Sequence, residues 1–119
     1  MRLTASRRLS RHGEFARVKA DGASHAGRFV VVNALCTGTG GPWRCAFITS
    51  KKVGGAVVRN KVRRRLREIL RANAHQIPDG HWVVTIARWR AAEASFDELR
   101  IDWTRAAKRA GILPQTTAQ

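Results

Sequence analysis

Between the Gly54-Gly55 pair and Pro78, apolar residues recur at Val58, Val62, Leu66, Ile69 and Leu70. Wound into a helix, these positions fall within an arc of roughly 120°. Asn60, Lys61, Arg63, Arg64, Arg67 and Arg71 take most of the remaining surface. A helix of this kind, from about Ala56 to Asn73, is marginal until another element covers its apolar side. Arg59 and Arg65 lie at the edges of the arc. Arg59 is placed to reach toward the preceding loop, and Arg65 can carry its charge to water over an apolar stem.

The covering elements are legible on both sides of that helix. Arg28 to Cys36 reads as a strand, with Phe29, Val31 and Asn33 on one face. The turn-rich run Thr37-Gly38-Thr39-Gly40-Gly41-Pro42 follows, so the next strand, Arg44 to Ser50, is expected to return antiparallel. Pro78-Asp79-Gly80 marks a turn before a third strand, Trp82 to Arg88. Residues 10–20 form a short helix with Ser10 as N-cap and Gly22 beyond its end. The last helix is the best delimited: Ser95 and Glu98 make a capping box and Gly111 supplies the stop. Phe96, Leu99, Trp103, Ala106, Ala107 and Ala110 recur along it at core spacing. Two strands, a helix, a third strand and a further helix indicate an α+β sandwich, helices laid on a small sheet. A length of 119 residues fits a single domain, read as 1–114, with a polar tail at 115–119 expected to be disordered.

Lys and Arg number 23 against 8 Asp and Glu, a formal charge of +15, yet 44% of residues are hydrophobic, so a core forms despite the repulsion. Residues 51–71 hold nine bases and Glu68 as their only acid. Residues 1–20 hold six bases and Glu14, whereas beyond Pro78 the two signs nearly balance. The anionic partner therefore meets the N-terminal segment and the middle helix, and nucleic acid is the leading candidate. The helix lacks the Glu–Lys alternation of an ordinary solvated face, and arginine forks match phosphate oxygens. A membrane surface is disfavoured because the apolar stripe is needed to build the core. The apolar runs are too short to span a bilayer, and no apolar stretch follows the early arginines, so the expected compartment is the cytoplasm.

Other chemistry is weakly supported. His12, His25, His75 and His81 with Cys36 and Cys45 show no zinc-ligand spacing. The two cysteines lie in neighbouring strand-like runs and read as a reduced, buried pair. Asp97 and Glu98 sit in a first helical turn, where the macrodipole favours acids without any catalytic role. No glycine-rich phosphate loop is present.

The run Ser50-Lys51-Lys52-Val53-Gly54-Gly55-Ala56-Val57-Val58-Arg59-Asn60-Lys61, continuing through the basic helix to Glu68, resembles the protein component of bacterial ribonuclease P. That family carries S-K-K-x-G-x-A-V-x-R-N followed by Arg or Lys. Upstream, Glu14-Phe15-Ala16-Arg17-Val18 with Gly22 is similar to its first helix, and downstream Val83 to Arg88 is similar to its strand ending in Ala-Arg. The resemblance spans about residues 9–110.

It implies an α-β-β-β-α-β-α sandwich with a small mixed sheet and a left-handed βαβ crossover, ribosomal protein S5 domain 2-like. It implies a subunit that binds the catalytic ribonuclease P RNA and the 5′ leader of precursor tRNA, to promote endonucleolytic removal of the leader. The RNA, with Mg²⁺, would carry the hydrolysis, so no catalytic residue and no metal ligand is expected in the protein. One monomeric copy per RNA is expected, with no membrane partner. Matched residue by residue, Lys52, Arg59, Asn60, Lys61, Arg63, Arg64, Arg67 and Arg71 would contact RNA, and Phe15, Lys19, Asn33 and Arg88 would line the leader cleft. The chain departs from the family where aromatics are usual, with Lys19 in the cleft and Asn33 on the strand, and where Gly55 and Arg65 replace an Asn and an aliphatic residue. Leader binding would then rest less on stacking and more on charge. Phe15 on a short helix is as consistent with a core residue as with a stacking platform. The alternative, a structural RNA-binding protein such as a ribosomal component, shares the composition but not the motif.

Overall fold

The computed structural model describes residues 8–9, 12–38 and 40–114. Its elements are α1 (His12–Asp21), β1 (Ala23–Ala26), β2 (Val30–Cys36), β3 (Arg44–Thr49), α2 (Ala56–Ala72), β4 (His81–Ala87) and α3 (Phe96–Arg109). The order is α-β-β-β-α-β-α, and the sheet is mixed, with strands in the order β1-β2-β4-β3. β1 with β2 and β2 with β4 run antiparallel, while β3 runs parallel to β4.

Both faces of this sheet are covered, which is why β2 and β4 read as nearly unbroken apolar runs. Side chains alternate across each strand. Val30, Val32 and Ala34 of β2, with Val83 and Ala87 of β4, pack against Val62, Leu66, Ile69 and Leu70 of α2 and Leu99, Trp103 and Ala107 of α3. On the other face Leu35, Ala46 and Val84 pack with Leu9 and Val18, with Phe15, Trp82 and Ile86 at the margin. Thus α1 covers one face, and α2 and α3 the other. The buried Trp103 indole donates to Thr85 Oγ1 at 3.0 Å, satisfying a polar pair inside the larger core.

The capping box at Ser95 and Glu98 is present, and Gly111 adopts φ 81°, the left-handed conformation of a helix stop. Among the described residues, no helix is long and apolar enough to cross a membrane. Ser10, read as the N-cap of α1, and the tail 115–119 lie outside the described residues.

Several expectations need correction. The residues read as two strands before α2, but there are three: β1, Ala-Ser-His-Ala, has no β-branched residue and is held by pairing with β2. β3 does run opposite to β2 but does not sit beside it, because β4 is inserted between them. Phe29 belongs to the larger core, not to the face of Val31 and Asn33, because it lies in the turn before β2 begins. Cys36 is exposed and Cys45 buried, on strands that β4 separates, so they are not a buried pair. Phe96 and Val58 occupy first helical turns that overhang the core and are partly exposed. Arg65 does not release its charge to water alone; it donates to the Ala94 carbonyl at 3.1 Å, tying α2 to the segment before α3.

One buried acid escaped the sequence reading. The tight β1–β2 turn leaves three N–H groups without strand partners, and Asp102 of α3 accepts all of them. They are Arg28 at 2.8 Å, Phe29 at 2.8 Å and Val30 at 3.1 Å. A Cβ on Gly27 would collide with that carboxylate, so glycine is required there.

Candidate nucleic-acid interface

The basic face of α2 hangs beside β3, the edge strand, and the shape of the site follows from that position. A groove of about 650 Å³ runs along the β3 edge. Phe15 of α1 stands on one side, Phe47 lies at the floor, and Arg63, Arg64, Arg67 and Arg71 of α2 form the opposite wall. At one end the segment Arg8-Leu9 extends the sheet, with Leu9 N–H donating to the Cys45 carbonyl at 2.8 Å.

The α1 wall is fixed by Arg44. Its guanidinium pairs with Glu14, next to Phe15, and donates to the Arg8 carbonyl at 2.7 Å. It also lies 5.7 Å from the centre of the Trp82 ring, which Arg17 approaches at 5.4 Å. On the α2 wall, Arg63 donates to Asn60 Oδ1 at 2.7 Å and Arg71 pairs with Glu68 at 2.9 Å. Arg64 and Arg67 are exposed and have no acidic partner among the described residues. The first turn of α2 contains no acid, so its dipole adds to the positive field. Two half-buried aromatic rings facing four guanidinium groups suit a polyanion with flat, unpaired bases.

The structure therefore joins residues that the sequence had placed in two separate sites. Phe15 shares one groove with Arg63, Arg64, Arg67 and Arg71. Its two readings also meet, since the ring packs on the smaller core and still lines the groove. Lys52, Arg59, Asn60 and Lys61 continue the basic surface toward the N-terminal end of α2. Lys19 is exposed one turn beyond Phe15, outside the groove lining. Arg88 lies past the end of β4, where it donates to the Gly27 carbonyl at 2.8 Å. Asn33 differs from expectation: at 7% exposure it is buried on the α1 face of β2, so its side chain offers no open cleft surface. Arg8, Arg44 and Phe47 were missed. Only the edge position of β3 distinguishes Phe47 from any core aromatic, and no local pattern signals it.

Residues 3–111 match the family profile of ribonuclease P. The chain belongs to the ribonuclease P protein family. The ribonuclease P protein component of Symbiobacterium thermophilum is 41% identical over 106 residues, covering 89% of this chain and 92% of that protein. That of Beutenbergia cavernae is 42% identical over 100 residues, with 84% of each covered. Among solved structures, the ribonuclease P protein of Staphylococcus aureus superposes with a TM-score of 0.83 at 27% identity, over 90% of this chain and 97% of that one. The Thermotoga maritima protein gives a TM-score of 0.75 at 30% identity, over 86% and 96%. Membership of this family assigns the chain to ribonuclease P and tRNA processing, not to the ribosome.

Proposed function

We propose that this chain is the RNA-anchoring and leader-holding subunit of ribonuclease P, and that the phosphodiester hydrolysis is carried by the RNA subunit. The observation that carries the reading is the groove in which Phe15 faces the arginines of α2. Phosphates of the catalytic RNA are matched by Lys52, Arg59, Lys61, Arg63, Arg64, Arg67 and Arg71, which neutralise backbone charge and release counterions, while Asn60 adds an uncharged hydrogen-bonding group. An unpaired base of the precursor tRNA leader stacks on Phe15, with Lys19 one turn further along α1 and Arg88 past the end of β4 adding positive charge to the leader's path. Asn33 is not part of this contact set, because α1 covers it. Concentrating positive charge between two polyanions lowers their mutual repulsion, which is how a subunit without catalytic residues promotes cleavage.

Among the described residues no three His, Cys, Asp or Glu side chains cluster as they would to hold a metal ion. The assembly is read as one protein monomer per RNA, acting in the cytoplasm on precursor tRNA. The test is a cleavage assay on precursor tRNA with rigorously RNA-free protein, with a bacterial ribonuclease P RNA, and with both. The protein alone should be inactive, and its addition to the RNA should lower the salt and Mg²⁺ needed for cleavage. Cleavage by the protein alone would overturn the division of labour.

A further inference from the structure

The groove leaves one large aromatic unexplained. Trp89 is 58% exposed, whereas Trp43 and Trp103 are 5% and 0% exposed. It opens a short 3₁₀ turn, Trp89–Glu93, whose Ala91 is buried, and the adjoining Ala94 is buried as well. The backbone beneath the ring is thus anchored in the core while the ring is held in solvent. One side is attended by Arg90, whose guanidinium lies 5.6 Å from the ring centre. The preceding residue is clamped too: Arg88 N–H donates to the Phe29 carbonyl at 2.8 Å and its guanidinium to Gly27.

The sheet register gathers further charge at this end. Ala87, the last residue of β4, lies between Val30 and Thr49. Arg28 just precedes Val30, and Lys51 and Lys52 just follow Thr49. This end of the sheet thus carries Arg28, Lys51, Lys52, Arg88 and Arg90, with the Arg90 guanidinium against the exposed indole. The nearby Asp102 charge is occupied by three backbone N–H groups. Glu93 closes the 3₁₀ turn that Trp89 opens, but the charged group against the ring is Arg90, and a cation on its face suits a ligand that joins an anionic backbone to a flat base.

We propose that Trp89, backed by Arg90, is a second stacking platform that takes an unpaired nucleotide of bound RNA at the end of the sheet. This rests on the reading of the chain as an RNA-binding subunit, and extends the contact surface beyond the groove. Stacking on an aromatic face is tolerant of base identity and adds affinity without adding a phosphate contact.

The test uses the full chain titrated with single-stranded oligoadenylate of about ten nucleotides. Binding should quench the tryptophan emission, and Trp89→Ala should lose most of that quench, since Trp43 and Trp103 are buried and only the half-buried Trp82 is left to respond. Trp89→Ala should weaken binding roughly tenfold with an unchanged salt slope, and Trp89→Phe should retain most of the affinity. Equal affinity for wild type and Trp89→Ala overturns the proposal. So do equal losses in both variants accompanied by a lower Tm, which would make Trp89 structural. The Arg63, Arg64 and Arg67 triple alanine variant separates the two readings. A flattened salt slope there with no Trp89 effect leaves the groove standing and removes the platform. An unchanged slope with a Trp89 effect does the reverse.

Discussion

Replacing Arg63, Arg64 and Arg67 together by Ala tests whether the α2 wall is a phosphate-binding surface. The structural cost should be small. Arg64 and Arg67 are exposed, Arg63 gives up one exposed bond to Asn60, and the buried Val62, Leu66, Ile69 and Leu70 are untouched. Alanine is the best helix former, so Tm should move by no more than the effect of about 0.5 kcal/mol. Each lost phosphate contact flattens the plot of log K against log salt by about 0.7–0.9, so three should flatten it by about 2–3. Between about 50 and about 200 mM salt, the gap in Kd between variant and wild type should then shrink by roughly 20- to 40-fold. The assay is a filter-binding or anisotropy titration against the ribonuclease P RNA at several salt concentrations, with circular dichroism melts of both proteins. Parallel salt plots, with the variant fully folded, would refute the reasoning: the face would be merely solvated and the phosphates bound elsewhere.

Phe15→Ala removes the groove's aromatic from α1. Binding to leader-bearing tRNA in the holoenzyme should weaken by about 1–3 kcal/mol, with leaderless tRNA scarcely affected. Equal losses for both tRNAs in a folded variant would reject the leader role. Arg44→Ala cuts the pair with Glu14 and the bond to the Arg8 carbonyl, so α1 and the N-terminal segment should loosen at a cost of about 1–2 kcal/mol. Amide exchange should rise in α1 first; a uniform rise across the chain would argue against this local staple. Asp102→Ala strands three backbone N–H groups at the β1–β2 turn and should lower stability by about 3–5 kcal/mol in a denaturant melt. A loss below about 1 kcal/mol would mean water replaces the carboxylate freely.

What a local pattern specifies, the sequence alone determined. The arc of Val62, Leu66, Ile69 and Leu70 defines which side of α2 is buried, and its complement is the basic wall. The Ser95–Glu98 box starts α3 at the residue where it was read, because capping depends on neighbours a few positions apart. The run from Ser50 to Glu68 carried the family on its own. What depended on partners distant in sequence was decided only by the tertiary structure. β1 has no pattern of its own and exists by pairing with β2. Insertion of β4 between β2 and β3 makes β3 an edge, and that edge turns Phe15, Phe47 and the α2 arginines into one groove. The same packing covers Asn33 with α1 and brings Asp102 to a turn more than 70 residues away in sequence. Alternation and capping act over one or two turns of chain. Strand order and edge exposure are set by burying two apolar faces at once, and no short window of residues contains that condition.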